Sequence, residues 1–309
     1  RREPRRKALA GRQLMRGLSR VTPVIALERD HRRIFVSTHD RGDITAAVFA
    51  SGTYERETVD RAVEALRKFR GLEEPLRDGC FVDVGANIGI TTLEVFRRHG
   101  ARRGVAVEPH PELFKLLRHN LIEAGIDDCV HCCGVAASDH DGDAQLAIAR
   151  GNLGDHRIAS GAHPRYEGDL EDRRTVAVPA RRLDTLLREA GVSPTACSLV
   201  WIDIQGYEPR ALAGADELIS CGVPIICEYW PDGLEALGLR HQFHDLVAER
   251  FDSLIDLDAA MPAGGLGLEA AHDRLRGTGR YTNLLLLSRP SGGSGPPAAG
   301  GRAGAGGSR

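Results

Sequence analysis

Lysine is almost absent from this 309-residue chain: Lys7, Lys68 and Lys115 are its only three, and arginine carries the remaining basic charge. Alongside the Ala and Gly richness, this reads as a high-GC coding bias and says nothing about function. An excess of either charge sign is also missing, since 41 Lys and Arg face 43 Asp and Glu for a net charge of −2. That balance removes the electrostatic case for a dedicated nucleic-acid binder or a polybasic membrane protein. No apolar run approaches the roughly 18 residues that would span a bilayer. The cysteines lack a pairing pattern: there are seven, scattered and mostly within apolar stretches. This excludes a disulfide framework and predicts reduced thiols, hence a cytoplasmic protein. Apolar residues are not scarce. At 42% hydrophobic the chain can bury a core, which rules out a disordered protein.

The ends differ from the middle. Residues 1–30 begin with a basic run without a following apolar h-region, predicting a solvated arm with at most a turn or two of helix. Residues 291–309 are Gly, Ala, Pro and Ser without periodicity, predicting a disordered tail. Residues 31–78 read as a lead-in. There Ile34–Ser37 and Ala46–Phe49 could pair as a hairpin around Asp40-Arg41-Gly42-Asp43, followed by a helix over Glu57–Phe69.

Over 79–290 the pattern becomes strand–helix alternation. Short apolar strands at Cys80–Val84, Gly104–Val107, Cys129–Val135, Ser198–Ile204, Val223–Cys227, Ser253–Leu257 and Tyr281–Leu287 alternate with helical segments. Continuous apolar strands point to a sheet covered on both faces. The fold class is therefore α/β, a Rossmann-like, doubly wound, mostly parallel seven-stranded sheet with the lead-in packed on it.

The strongest local signal is Asp83-Val84-Gly85-Ala86-Asn87-Ile88-Gly89, directly after the first of these strands and opening a helix. Gly85 and Gly89 allow a sharp turn and close approach of a ligand. The spacing is not the dinucleotide G-x-G-x-x-G. An anionic Asp83 at the strand end suits a cationic amino group better than a pyrophosphate, favouring S-adenosylmethionine over NAD. Glu108 lies one βα unit on, 23 residues past Gly85, where an acid can accept both ribose hydroxyls. Ala86, Asn87, Pro109 and Ala137 complete the cofactor candidates.

The end of the fourth strand carries Asp203-Ile204-Gln205-Gly206-Tyr207-Glu208, at the sheet edge where open α/β sheets bind ligands. Asp203 is the first candidate for a base or acceptor-positioning residue, Glu208 the second, and Glu228 at the next strand tip the third. These three carboxylates could hold Mg²⁺, but nothing in the spacing demands it and no metal is assigned. The polar excursion Arg150–Arg174 offers Asn152, His156 and Arg157 to an acceptor pocket, with His156 an alternative proton acceptor. Tyr207 and Trp230 are candidates to wall that pocket. Cys129 and Cys132 form a C-x-x-C without a second pair at zinc spacing, so they read as structural. His241 and His244 read as surface features of a helix.

Asp83–Gly89, Val107-Glu108-Pro109 and Trp201–Glu208 resemble, in order and spacing, the FkbM-type methyltransferase family. So do Gly151–Ile158, the Val178-Pro179…Leu183-Asp184 run and the upstream Gly52-Thr53-Tyr54-Glu55. The resemblance covers about residues 34 to 288. It implies a class I, S-adenosylmethionine-dependent methyltransferase acting mostly on hydroxyl oxygen of sugars, glycolipids, polyketides or related metabolites. The expected partner is thus a small-molecule or glycan acceptor and not nucleic acid. Many family members carry Lys and Glu where this chain has Trp201 and Gln205, a departure that bears on substrate contacts and local charge. An NAD(P)-dependent oxidoreductase and a catalytically silent adenosyl-binding module are the rival readings.

Overall fold

The computed structural model describes residues 2–29, 32–159, 173–259 and 267–288; the tail predicted at 291–309 and the middle of the polar excursion lie outside them. The centre of the molecule is a mixed seven-stranded sheet. Its strands are β3 (Cys80–Val84), β4 (Arg103–Val107), β5 (Val130–Cys133), β10 (Cys197–Ile202), β11 (Ile225–Tyr229), β12 (Ser253–Asp256) and β13 (Thr282–Leu287). They lie in the order β12-β13-β11-β10-β3-β4-β5, with β13 antiparallel to both neighbours and every other pair parallel. Strands β3, β10, β11 and β13 are buried along their whole length, which is why they read as unbroken apolar runs. Alternate residues feed two cores. Val82, Val84, Val200 and Ile202 face one layer, while Phe81, Leu199 and Trp201 face the other.

Chain order reverses between β3 and β10. From β3 the chain steps outward to β4 and β5, then returns to place β10 on the other side of β3. The carboxyl ends of β3 and β10 therefore meet at a topological switch point, where open α/β sheets form a crevice. The segment between β5 and β10 builds a small second sheet from β6 (Ala136–Ala137), β7 (Gly142–Ala147), β8 (Arg157–Ile158) and β9 (Thr175–Arg181), in the order β6-β9-β7-β8. It stands over one side of the crevice.

The lead-in departs from the sequence reading in two places. Helix α1 (Arg2–Leu18) replaces the expected solvated arm and packs against α2 (Asp43–Ser51), with Met15 only 1% exposed. The predicted hairpin does not form. Strand β2 (Arg32–Ser37) pairs instead with β1 (Val24–Arg29), and the Ala46–Phe49 run lies inside α2. Asn120 from α5 (Pro111–Glu123) fastens this hairpin: its Oδ1 accepts the Phe35 amide, and its Nδ2 donates to the carbonyls of Phe35 and Ile88. Helix α3 (Arg56–Arg70) is held on α4 (Ile90–His99) by buried Glu94, which accepts from Arg56 and Arg32. Burial alone would raise the Glu94 pKa, but these arginines hold it below the usual carboxylate range. Two local expectations also change. Cys129 sits exposed in a single turn of 3₁₀ helix ahead of β5. His244 is not a surface feature, since its Nε2 bonds the Tyr229 hydroxyl at 2.8 Å and its Nδ1 meets Glu269. No described helix is long and apolar enough to cross a membrane.

Candidate active site

The crevice at the switch point holds a cleft of about 630 Å³, counting its open mouth. Its base is the crossing of two turns. Asp203 donates its amide to the Val84 carbonyl, and Gly85 donates to the Val107 carbonyl. Gly85 has φ +88°, and a Cβ on it would lie 1.9 Å from the Asp203 carbonyl oxygen. Only glycine fits there, for backbone reasons rather than for approach of a ligand. Gly89 (φ +87°) likewise serves packing, because a Cβ there would press on Leu117 of α5.

Glu108 stands at the tip of β4 inside the cleft, 5% exposed. Its Oε2 accepts the Asn87 amide at 2.9 Å and its Oε1 accepts the His110 amide at 2.7 Å. Burial pushes its pKa up to about 7 against the pull of those two donors. Each oxygen keeps one lone pair for a ligand hydroxyl. Pro109, Ala136, Ala137, Leu146 and Ile158 form apolar walls beside it. The Asn87 side chain is engaged by the backbone: Nδ2 donates to the Leu153 carbonyl and Oδ1 accepts the Ile88 amide. It thereby ties the 151–154 loop to the glycine turn.

His156 lies in the cleft wall, stacked on His110 with ring centroids 4.2 Å apart. Its Nδ1 accepts the Ala149 amide, which places the ring proton on Nε2. That nitrogen is buried without a partner. Burial, reinforced by His110 and Arg173, pushes the His156 pKa down to about 3. The imidazole is therefore held neutral, with its ring proton on a buried nitrogen beside the cleft.

Asp203 reaches the cleft floor with Gln205 beside it. Burial raises its pKa to about 6, opposed by the Gln205 amide, which donates to Oδ1 at 2.7 Å. Glu208 opens the short helix Glu208–Ala213 that follows β10, and its Oε1 accepts the amides of Ile204 and Gly206. Glu228 sits at 4% exposure on β11. Burial raises Glu208 to about 7 and lifts Glu228 well above the carboxylate range, with Asp203 adding repulsion in both cases. The three candidate carboxylates thus share one locality. Of the acceptor candidates, Tyr207 lines the cleft. Asn152 caps its own turn by accepting the Gly154 amide. Arg157 pairs with Asp155 and lies over the Trp230 ring at 4.6 Å, and this stacked pair stands outside the cleft lining.

Sequence reasoning did not assign Tyr54 and Glu55 to the site. A small recess, about 330 Å³ counting its open mouth and with only about 20 Å³ enclosed, adjoins the cleft across Gly85 and Asn87, lined by Tyr54, Glu55, Asp83, Ala86, Trp201 and Asp203 among others. Asp83 is buried beneath α4, accepts the Thr92 hydroxyl, and is raised by burial to about 7. Glu55 is pushed well above its usual range by burial, then by Asp203, Asp258 and Asp83. The neutral Trp201 lies in register with Asp83. Among described residues, three non-glycine positions have φ in the left-handed region: Glu55 at +52°, Asn87 at +51° and Gln205 at +58°. All three line the cleft or its recess, and strain of this kind gathers at functional sites. The Gly52-Thr53-Tyr54-Glu55 lead-in was the available signal for the first of them.

The family description "Methyltransferase FkbM domain" matches residues 83–254, more than half of the chain. A curated relative, the 2-O-methyltransferase NoeI of Sinorhizobium fredii (strain NBRC 101917 / NGR234), is 27% identical over 168 residues. The match takes in 51% of this chain and 65% of that protein, so the chain spans a little under two thirds of its length. Among solved structures, methyltransferase FkbM from Methylobacillus flagellatus KT is 16% identical with a TM-score of 0.42, over 68% of this chain and 44% of that one. TYW2 of P. horikoshii, solved with MeSAdo, is 12% identical with a TM-score of 0.39, over 86% and 70%. With its glycine turn, its Glu108 and its Asp203–Glu208 segment all inside the matched range, the chain belongs to the FkbM methyltransferase family.

Proposed function

We propose that the protein transfers a methyl group from S-adenosylmethionine to a hydroxyl oxygen of a small-molecule or glycan acceptor, on a Rossmann-like class I methyltransferase sheet. The observation that carries this reading is the pairing of Glu108 and the orphaned His156 Nε2–H in one apolar-walled cleft with Asp203 on its floor. A carboxylate with free lone pairs, a buried unused donor and flat apolar walls suit an adenosine. Glu108 would hold the ribose hydroxyls, and Pro109, Ala137 and Ile158 would enclose the base. Asp83 and Glu55 would face the cationic amino-acid end in the adjoining recess. The cofactor, when bound, supplies an electrophilic methyl group on a sulfonium.

The acceptor hydroxyl must lose its proton as its oxygen gains carbon. Asp203 is the group placed to take that proton, being on the cleft floor and ionised above about pH 6. Gln205 holds its carboxylate in place. The class of acceptor, a sugar, glycolipid, polyketide or related metabolite, follows the family and the 2-O-methyltransferase name of the relative.

Calorimetric titration with S-adenosylhomocysteine, with NAD⁺ as control, tests the cofactor; heat from NAD⁺ alone would sink the proposal. Asp203→Asn should leave S-adenosylhomocysteine binding intact and cut turnover by on the order of 10²–10⁴-fold. Unchanged turnover would remove Asp203 from the role of base.

A further inference from the structure

The three carboxylates below the cleft form a tighter group than proton transfer needs. Asp203, Glu208 and Glu228 each offer one oxygen, and these oxygens all lie within 4.8 Å of one another. Such a cluster says little alone, because acidic side chains gather for many reasons. An independent observation makes it specific. Glu208 is 1% exposed; its Oε1 accepts two backbone amides, while its Oε2 is buried with no partner at all. A carboxylate oxygen removed from water without a donor is costly unless something cationic completes it.

Gln205 shows where that cation would act. Its Nε2 donates to Asp203 Oδ1 at 2.7 Å and to Glu228 Oε2 at 3.3 Å, so one neutral amide bridges two of the three acids. Turning that amide over about its terminal bond exchanges nitrogen for oxygen at the same place and presents Oε1 to the cluster. Three carboxylates and one amide carbonyl make an all-oxygen donor set, the kind that hard divalent cations take.

We propose that Asp203, Glu208 and Glu228 bind one hard divalent cation, Mg²⁺ or Mn²⁺, with Gln205 Oε1 as a fourth ligand once its amide has turned. The site itself stands without the methyl-transfer reading. Its use rests on that reading: a cation held by one Asp203 oxygen would lower the pKa of a bound hydroxyl, leaving the other oxygen to take its proton.

The test is Mn²⁺ titration of the full chain followed by electron paramagnetic resonance, with Mg²⁺ as competitor. The wild type should bind one Mn²⁺ that Mg²⁺ displaces. Glu228→Gln should weaken Mn²⁺ at least tenfold with an unchanged melting temperature. Because Glu208 also caps a turn and its variant could fail to fold, the second variant is Gln205→Glu. A fourth carboxylate there should tighten Mn²⁺ several-fold, which a merely structural glutamine would not do. Absence of Mn²⁺ binding at millimolar concentration overturns the site. So does wild-type affinity in both Glu228→Gln and Gln205→Glu, which would put the ion elsewhere. A parallel titration with S-adenosylhomocysteine separates the two readings: that ligand binding without Mn²⁺ refutes the metal site alone, and Mn²⁺ binding without that ligand refutes the cofactor alone.

Discussion

Replacing Glu108 by Gln is the most informative single change, because it keeps the shape of the side chain and removes one acceptor. The carboxylate serves two buried backbone donors, the amides of Asn87 and His110. The variant can offer its carbonyl to one of them and must turn its NH₂ on the other. The loss comprises a charge-assisted hydrogen bond, about 1.5–3 kcal/mol, and a buried donor left unpaired, about 1–3 kcal/mol. Together these come to about 2.5–6 kcal/mol, opposed above pH 8 by release of a buried charge worth about 3 kcal/mol for a carboxyl raised to about 7, so a net loss of about 1 kcal/mol is expected. At 2–4 °C per kcal/mol for a domain of this size, the melting temperature should fall by roughly 2–4 °C. Calorimetric affinity for S-adenosylhomocysteine, measured well below that midpoint, should fall at least tenfold. A melting shift with unchanged affinity would reduce Glu108 to a structural brace and refute its place in the ribose site. No melting shift would refute the claim that it holds the two amides.

Two further outcomes follow from the electrostatics. Glu94→Gln strips the charge that Arg56 and Arg32 share on α4, and breaking a buried pair of this kind costs about 3–5 kcal/mol; limited proteolysis should then cut first in the lead-in, and a wild-type cleavage pattern would contradict the role assigned to it. Burial raises Asp83, Glu108 and Glu208 each to about 7, so the folded state holds protons that the unfolded chain has already lost. Stability of the ligand-free protein should therefore fall between pH 6.5 and 8, by about 1 kcal/mol per group. His99, His110, His156 and His272 are all lowered by burial and act oppositely, most strongly below the unfolded histidine pKa of about 6.5 and fading by about pH 7.5. A melting temperature that is flat or rising over that interval would show these acids to be less perturbed than their burial implies.

The central sheet was legible because its strands are buried on both faces and appear as apolar blocks between helices. The glycine turn, Glu108 and Asp203 were legible for a related reason, since each follows a strand and strand ends are where such sheets bind ligands. The lead-in was not. Ile34 and Val36 read as a strand, and one forms; the Ile44–Phe49 run is apolar nearly all round, so periodicity could not separate helix from strand. Strand β1 has one fully buried side chain, Leu27, and leaves almost no pattern. Contacts such as Asn120 with Phe35 or Arg56 with Glu94 join residues distant in sequence, and spacing cannot report them. The role of His156 depended on one backbone amide, Ala149, deciding which ring nitrogen keeps the proton.

The Asp40 carboxylate accepts the amides of Gly42 and Thr45 at the start of α2 and also that of Leu153 in the excursion loop. Two stretches of chain separated by more than a hundred residues are thus buttoned together by one side chain, directly beside Asn87. Entry to the cleft from this side is a latch problem: the loop swings out only by giving up its bond to the acid that starts α2. Opening on this side breaks the Leu153 bond to Asp40, the Arg41 amide's bond to the Gly151 carbonyl and the Asn87 bond to the Leu153 carbonyl, none of them in the sheet below.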